Sequence, residues 1–272
     1  MSGKQAEATL KRVVYTHYAA HGRHDLPWRQ TTDPYRILVS EVMLQQTQVS
    51  RVLNKYRLFL RHFPNTKRLA NAPLAEVLQV WQGLGYNRRA KLLQQSAQVV
   101  TYERAGRWPK TDAELQCLPG VGPYTAGAVL AFAYGTAVPM VETNIRTVYL
   151  HHLFPRAQAV SEADILAAVD RTLDRTNPRE WYWALMDYGS YLKQTRGNNI
   201  QRAASYKKQS PFAGSRRQIR GAVLRLLSGV DSVSDADIVT VSTDDAVRQA
   251  VLEQLLQEGM VCYQAGRWQL PR

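Results

Sequence analysis

A glutamate in an otherwise apolar helical pattern is the first residue that could do chemistry. Within Asp33–Val49, a helix would place on one face the residues Ile37, Glu41, Leu44 and Gln48. Burial raises the pKa of a carboxyl group, and a carboxylic acid that is still protonated near neutral pH can act as a general acid. The alternative is that Glu41 lies at the edge of the apolar stripe and reaches water. The pattern makes Glu41 a candidate general acid.

A glycine-rich turn and a second acidic residue follow further along the chain. Gly120 and Gly122 flank Val121, and a predicted helix at Pro123–Tyr134 leads on to Glu142. Such glycines allow a tight turn that gathers backbone N–H groups at a helix N-terminus, where a phosphate oxygen can bind. Taken alone, a Gly-x-Gly is more typical of an ordinary turn between helices. The turn becomes a candidate DNA-backbone clamp only together with the upstream motif.

Four motifs carry a resemblance to a known family, and they occur along this chain in the same order as in that family. They are Ser40–Val49, Leu69–Pro73, Trp81–Tyr86 and Leu118–Gly127. Over roughly Leu26–Leu192 the chain resembles the adenine DNA glycosylases of the helix-hairpin-helix superfamily. The resemblance implies an enzyme that flips a mispaired base out of a DNA duplex and hydrolyses its bond to deoxyribose.

Two of the three predicted catalytic residues follow the family pattern. Glu41 matches the acid that protonates the purine ring nitrogen and helps to place the attacking water. Tyr124 matches a position where relatives with lyase activity carry lysine. Because a phenol cannot form a Schiff base with the opened sugar, the resemblance implies a monofunctional glycosylase.

The same resemblance assigns DNA contacts. Gln46, Leu84 and Tyr86 match residues that wedge into the duplex and fill the gap left by the extruded nucleotide. Without the family resemblance, the alternative that Leu84 is a core residue and Tyr86 a surface-loop residue is equally favoured. The predicted DNA-binding set is Gln45, Gln46, Thr47, Leu84, Tyr86, Gly120, Val121, Gly122, Asn144, Lys207 and Lys208. Gln45, Gln46 and Thr47 favour adenine as the target, because relatives with other substrates differ there.

The third predicted catalytic residue, Glu142, departs from the family pattern. Relatives normally carry aspartate at this position, where it stabilises the positive charge that develops on the sugar as the glycosidic bond breaks. Glutamate keeps the charge but moves the carboxylate by about 1 Å on a more flexible stem. We expect Glu142 to fill the catalytic role; the alternatives are a degenerate site or a changed substrate.

The cysteine content is a second departure. Most family members bind an iron–sulfur cluster through four closely spaced cysteines just after the segment that matches Met186–Leu192. This chain has Lys193 where the first ligand would be, and its two cysteines, Cys117 and Cys262, lie far apart in sequence. No other metal-binding pattern is present. We therefore expect no cluster, no metal and no other cofactor.

A basic run occupies the place of the cluster loop. It contains Lys207 and Lys208, and no acidic residue occurs between Asp187 and Asp231. A basic run in a linker is often only solvated, but the chain carries a formal net charge of +13 and a pI near 9.9. Such a balance favours a polyanionic partner. We predict that Lys207 and Lys208 contact DNA phosphates.

The elements that must position these residues are almost all helices. We predict an all-α, two-lobed helix-hairpin-helix glycosylase fold with the catalytic cleft between the lobes and a small C-terminal winged-helix-like module. The predicted divisions are a glycosylase domain at 1–192, a basic linker at 193–214 and the C-terminal module at 215–272. The predicted helices include Met1–Ala20 and eight segments between Val49 and Leu192, with Asn65, Thr111 and Ser161 as N-caps or turn residues.

Together these features predict a monofunctional DNA N-glycosylase of base excision repair. The most favoured target is adenine opposite guanine or oxidised guanine in double-stranded DNA. The alternatives are a mismatch glycosylase for another base, such as thymine opposite guanine, and a non-catalytic protein that binds damaged DNA. Two unpaired thiols, no signal-peptide core and no apolar run of membrane-spanning length favour a cytoplasmic enzyme, associated with the nucleoid if it is bacterial. We expect the enzyme to be a monomer.

Overall fold

Helices make up almost all of the regular structure. The computed structural model describes residues 3–271. Its helices are α1 (Gly3–His21), α2 (Pro34–Leu44), α3 (Val49–His62), α4 (Thr66–Ala70), α5 (Leu74–Trp81), α6 (Arg88–Gln98), α7 (Asp112–Gln116), α8 (Pro123–Tyr134), α9 (Thr143–His152), α10 (Glu162–Thr172), α11 (Pro178–Arg196), α12 (Arg216–Leu227), α13 (Asp235–Val239) and α14 (Asp245–Gln257). The predicted all-α class is confirmed.

Two short strands, β1 (Cys262–Gln264) and β2 (Arg267–Gln269), form an antiparallel hairpin. The helix predicted at Met1–Ala20 begins at Gly3 in the structure, and Met1 and Ser2 lie outside the described residues. Asn65, Thr111 and Ser161 cap α4, α7 and α10, each accepting a hydrogen bond from a backbone N–H three residues on, as predicted.

Helical spacing of apolar residues explains why these segments are helices. In α1 the buried residues are Leu10, Val14 and Tyr18, and in α3 they are Val52, Tyr56 and Phe59. Positions three, four and seven residues apart share one face of a helix, and that face packs on the core. α8 differs, because every residue from Thr125 to Phe132 is buried. α8 is therefore a central helix, surrounded by others.

The chain divides into two units. The first comprises the chain up to Leu38, Pro109–Cys117 and Val121–Lys208, and the second comprises Val39–Trp108, Leu118–Gly120 and the chain from Gln209. In the first unit, Arg29 donates two hydrogen bonds of 2.8 Å to the carboxylate of Asp187. Both side chains are almost fully buried, so this ion pair holds the segment after α1 against α11.

The C-terminal segment packs within the second unit. Its order is α12, α13, α14 and the β-hairpin. Val233, in the loop between α12 and α13, forms an isolated antiparallel bridge with Trp268 of β2. Helices followed by a terminal hairpin are the order predicted from the sequence, and the assignment of this segment as a winged-helix-like module stays a prediction. Lys91 on α6 donates to the carbonyl of Gly259 at 3.0 Å, and Ala75 N–H donates to that of Pro271. The predicted domain boundaries themselves stay a prediction.

Candidate active site

Glu41 lies on α2, where Ile37 and Leu38, one helical turn before it, are almost fully buried. Its side chain is 6% exposed, and its neighbours Val39 and Met43 are fully buried. The burial expected from the helical pattern is thus present. Gln48, which the same pattern placed on this helix, does not belong to it. α2 ends at Leu44, and Gln48 is the N-cap residue of α3, because the chain turns at residues 45–47.

The turn after α2 holds its shape through Arg89, a residue that the sequence reasoning missed. Its guanidinium donates to the carbonyls of Val42, Met43 and Gln45 at 2.6–3.1 Å. It also donates to Thr47 Oγ1 and to the carbonyls of Leu84 and Gly85 at 3.1–3.3 Å. Burial lowers the pKa of Arg89 to about 10, so the group is charged at neutral pH. One side chain therefore fixes two turns, residues 44–47 and residues 82–86.

Both of these turns contain strained residues. Gln46 has φ +54° and Tyr86 has φ +47°, in the left-handed region that L-residues rarely adopt. Such conformations persist only where the surroundings enforce them, and here the hydrogen bonds of Arg89 do so. Gln46 and Tyr86 are exposed, whereas Leu84 is only 3% exposed. Gln46 and Tyr86 are therefore accessible at the surface of this unit, whereas Leu84 lies in the core. The contact of these three residues with DNA stays a prediction.

We expect Arg89→Met to lower the free energy of unfolding by at least about 3 kcal/mol, because several buried carbonyls lose their donor at roughly 1–3 kcal/mol each. Arg89→Lys should recover part of this loss, since lysine keeps the charge but lacks the planar fork. Urea unfolding measures the effect. Arg88→Met is the matched control: Arg88 is the exposed neighbour, and its loss should change stability by about 0.5 kcal/mol or less. Equal effects at 88 and 89 would contradict the assignment.

The glycine hairpin uses only one of its glycines for backbone freedom. Gly120 has φ +78°, and an added Cβ would lie 2.8 Å from Cβ of Leu92 on α6. Gly122 has an extended φ of −96° and open space around it, and it is the N-cap of α8. Val121 between them is buried and anchors the turn. The hairpin thus ends at a helix N-terminus, as expected for a phosphate-binding turn.

Tyr124 is half-buried in the first turn of α8, and the side chain of Thr125 after it is buried. The position carries a phenol and no amine, as the sequence shows. Tyr124 and Glu142 lie in the first unit, whereas Glu41 lies in the second.

Glu142 caps the N-terminus of α9. Its Oε1 accepts hydrogen bonds from the backbone N–H groups of Asn144 at 2.7 Å and Ile145 at 2.8 Å. Burial raises the pKa of Glu142, while these two hydrogen bonds and the positive charges of Lys193 and Arg146 oppose that rise. The sequence reasoning did not foresee the cap, because glutamate is uncommon at this position.

Lys193 is linked to the Glu142 carboxylate through the side chain of Asn144. Its Nζ donates to Asn144 Oδ1 at 2.7 Å, and Asn144 Nδ2 donates to Glu142 Oε2 at 3.2 Å. Gly189, one turn before Lys193 on α11, permits this approach, since a Cβ there would overlap the carbonyl of Asn144. Asn144, predicted to bind DNA, thus orients the Glu142 carboxylate within the protein. The two departures from the family pattern, at Glu142 and Lys193, are neighbours in one hydrogen-bond chain.

The basic segment is partly structural. α11 continues through Lys193 to Arg196, beyond the predicted end at Leu192. Arg202 donates to the carbonyls of Phe154 and Ala157, so its guanidinium faces the protein. Lys207 and Lys208 are exposed, as phosphate-contacting residues must be.

Comparison with known proteins places the chain in a family. The model of the HhH-GPD superfamily base excision DNA repair proteins matches residues 39–172. The adenine DNA glycosylase of Mycobacterium tuberculosis is 36% identical over 273 residues, which cover 91% of this chain and 89% of that protein. The chain belongs to the adenine DNA glycosylase family.

Other members of the adenine DNA glycosylase family show similar identity. That of Mycolicibacterium smegmatis is 37% identical over 89% of both chains. The human adenine DNA glycosylase is 36% identical over 68% of this chain and 36% of its own length.

Solved structures of helix-hairpin-helix glycosylases share the fold. A thermostable thymine-DNA glycosylase superposes with a TM-score of 0.64 at 25% identity, covering 74% of this chain and 93% of that one. Endonuclease III, trapped as a covalent intermediate with DNA, superposes with a TM-score of 0.57 at 21% identity, and the match covers 79% of this chain and 92% of that one. Within residues 3–271, none of the helices has the length and apolar character needed to cross a bilayer.

Proposed function

We propose that this chain is a monofunctional adenine DNA glycosylase that removes adenine mispaired with guanine or oxidised guanine. The proposal rests on 36% identity to an adenine DNA glycosylase along nearly the whole chain. The geometric observation that supports it most is the burial of Glu41, since a buried carboxylic acid suits proton donation to a flipped base.

In this mechanism the base leaves as a neutral species. Glu41 gives a proton to a ring nitrogen of adenine, which makes the base a better leaving group. As the glycosidic bond breaks, positive charge develops on the sugar, and the Glu142 carboxylate stabilises it. Water, placed by the Glu41 carboxylate that remains, then bonds to the anomeric carbon and gives a proton back to Glu41, which leaves an abasic site. Asn144 and Lys193 hold the Glu142 carboxylate in one orientation.

We further propose that the enzyme has no lyase activity and works as a monomer without an iron–sulfur cluster. Tyr124 has no amine with which to form an imine. A cluster needs four thiolates, and this sequence has two cysteines in all. Lys193, at the position of the family's first ligand, is instead hydrogen bonded to Asn144.

A set of duplexes tests the activity. Duplexes that carry adenine, thymine, uracil or hypoxanthine opposite guanine or oxidised guanine are incubated with the enzyme, and base release is scored. We expect adenine to be released and strand breaks to appear only after alkali. Borohydride trapping of a protein–DNA adduct would contradict the monofunctional assignment, and release of thymine alone would contradict the substrate.

The second candidate is a thymine mismatch glycosylase. The superposition on the thymine-DNA glycosylase favours it, because that structure matches three quarters of this chain. Against it stands the higher identity to adenine DNA glycosylases. A non-catalytic DNA-binding protein would have little need of the buried Glu41.

A further inference from the structure

A cavity of about 510 Å³ lies within the first unit. All of its lining residues belong to the three helices α1, α9 and α11. Its volume falls in the range of roughly 300–1,000 Å³ that is typical of pockets for small organic ligands. None of its lining residues has a part in the proposed mechanism, so the cavity is a candidate binding site outside the active site.

The charged and titratable nitrogen groups of the cavity are all basic. They are Arg12, His17, His21, His151 and Arg196, and within the described residues no carboxylate lines the cavity. Asp187 is the acidic residue whose charge acts on His17, and it is already paired with Arg23 and Arg29. An anion that enters the cavity would therefore meet basic groups from three helices.

Basic residues in the last turn of a helix often only complement the helix dipole. His21, His151 and Arg196 occupy such positions, at the ends of α1, α9 and α11. Arg12 does not, because it lies in the middle of α1. Within residues 3–271, neither the Arg12 nor the Arg196 guanidinium has a hydrogen-bond or ion-pair partner, and both side chains are exposed. Two guanidinium groups are thus accessible to a ligand.

Two tyrosine rings give the cavity a flat wall. The rings of Tyr188 and Tyr191 are nearly parallel, with their centres 6.1 Å and their planes 22° apart. The His17 ring lies 4.7 Å from the Tyr191 ring, and Tyr191 is 44% exposed. An exposed aromatic ring in a basic groove is a surface on which a nucleobase can stack.

We propose that this cavity binds a small phosphate-bearing ligand of nucleotide size, with its phosphate between Arg12 and Arg196 and its flat ring on Tyr191. A guanidinium binds phosphate oxygens through two parallel N–H bonds, and protonated imidazoles add further donors. The tyrosine ring favours a nucleotide over inorganic phosphate as the source of the phosphate group. The proposal does not depend on the proposed function, because the two use different residues.

Binding of such a ligand should be coupled to protonation of the histidines. Burial lowers the pKa of His17 and of His151, and positive charges nearby lower both further. The groups that face these two imidazoles are Arg12, His21, His152, Asp187, Tyr188, Tyr191, Arg196 and Arg202. Both imidazoles are therefore mainly neutral at neutral pH, and a bound phosphate should raise their pKa by stabilising the charged form.

NMR signals of the histidine side chains in the full chain test the proposal. Cytidine monophosphate is the probe, because a cytosine base does not compete for a site that takes adenine. We expect it to shift the imidazole signals of His17, His21 and His151 and to raise the pKa of His17 and His151. It should bind at least about tenfold more tightly than inorganic phosphate or cytidine, each of which supplies only half of the contacts. The signal of His62, on α3 in the second unit, should not move.

Variants separate the two halves of the ligand. Arg12→Met and Arg196→Met should each weaken binding of the nucleotide about tenfold, because each removes a charged donor to the phosphate. Tyr191→Ala should weaken binding of the nucleotide about tenfold and that of inorganic phosphate about twofold or less, whereas Tyr191→Phe should keep both affinities. Arg57→Met is the matched control, since Arg57 is an exposed arginine of α3 that does not line the cavity. It should leave both affinities unchanged.

Three results would overturn the proposal: no shift of the His17 and His151 signals with any of the three probes, equal effects of Arg12→Met and Arg57→Met, or equal effects of Tyr191→Ala on nucleotide and inorganic phosphate. Affinity for a mismatched DNA duplex is measured on the same variants and should change by about twofold or less for Arg12→Met. A loss of duplex affinity as large as the loss of nucleotide affinity would assign the cavity to the DNA backbone instead. Adenine release is scored separately, so failure of the proposed function would leave these binding results unchanged.

Discussion

Replacing Glu41 by glutamine is expected to slow single-turnover release of adenine by about three orders of magnitude or more, which corresponds to a loss of roughly 4 kcal/mol in transition-state stabilisation. Glutamine has nearly the same shape but no proton to give. Because Glu41 is buried on α2, its replacement leaves no carboxylic acid at this buried position to protonate the base. Affinity for the mismatched duplex should stay close to that of the wild type.

Glu103→Gln is the matched control for this experiment. Glu103 is an exposed glutamate of the same unit, the last residue of the short π-helix Val99–Glu103 that follows α6. Its neutralisation should leave the single-turnover rate unchanged. If Glu41→Gln retains the wild-type rate, Glu41 has no part in the mechanism.

Glu142→Gln should lower the single-turnover rate by about a hundredfold or more, because it removes the charge that stabilises the developing positive sugar. The amide oxygen of glutamine can still accept the hydrogen bonds from Asn144 and Ile145, so the cap of α9 is retained. The free energy of unfolding should therefore change by only about 1 kcal/mol or less. If the rate is unchanged, Glu142 is only a cap.

The pH dependence of the rate separates charge from structure at this position. Burial raises the pKa of Glu142, and catalysis needs the ionised form. As the pH falls through this raised pKa, the carboxylate gains a proton and the wild-type rate should decline. Glu142→Gln should lack this acid limb. Lys193→Met should move the limb to higher pH, because it removes a positive charge that favours the ionised carboxylate.

Glu142→Asp shows whether the pocket has adapted to the longer acid. If the pocket is still shaped for the family's aspartate, the single-turnover rate of Glu142→Asp will equal or exceed that of the wild type. If the pocket has adapted to glutamate, the Glu142→Asp variant will be slower. The contacts favour adaptation, since Oε1 meets two backbone N–H groups at 2.7–2.8 Å and Asn144 bridges to Lys193.

Local patterns in the sequence predicted most of the helices. The start and end of α8 and the capping roles of Asn65, Thr111 and Ser161 follow from residue types at short spacing. The family motifs also located the residues of both turns around Arg89. Gln48 was assigned to the wrong helix because nothing in its apolar spacing marks the turn at residues 45–47.

The contacts that hold the candidate site were not predictable in the same way. Arg89 acts on backbone carbonyls, and these carry no signal in the side-chain sequence. The link from Lys193 to Glu142 depends on two helices that approach closely at Gly189, far from Glu142 along the chain. Both are long-range features that emerge only when the helices are packed.

The most direct test of the account is the identity and amount of the base released from a duplex with adenine opposite oxidised guanine, compared between the wild type and the double variant Glu41→Gln, Glu142→Gln. We expect the wild type to release free adenine in an amount equal to the abasic sites formed, and the double variant to release none above background. Equal release by the two proteins, or release of no adenine by the wild type, would contradict the account.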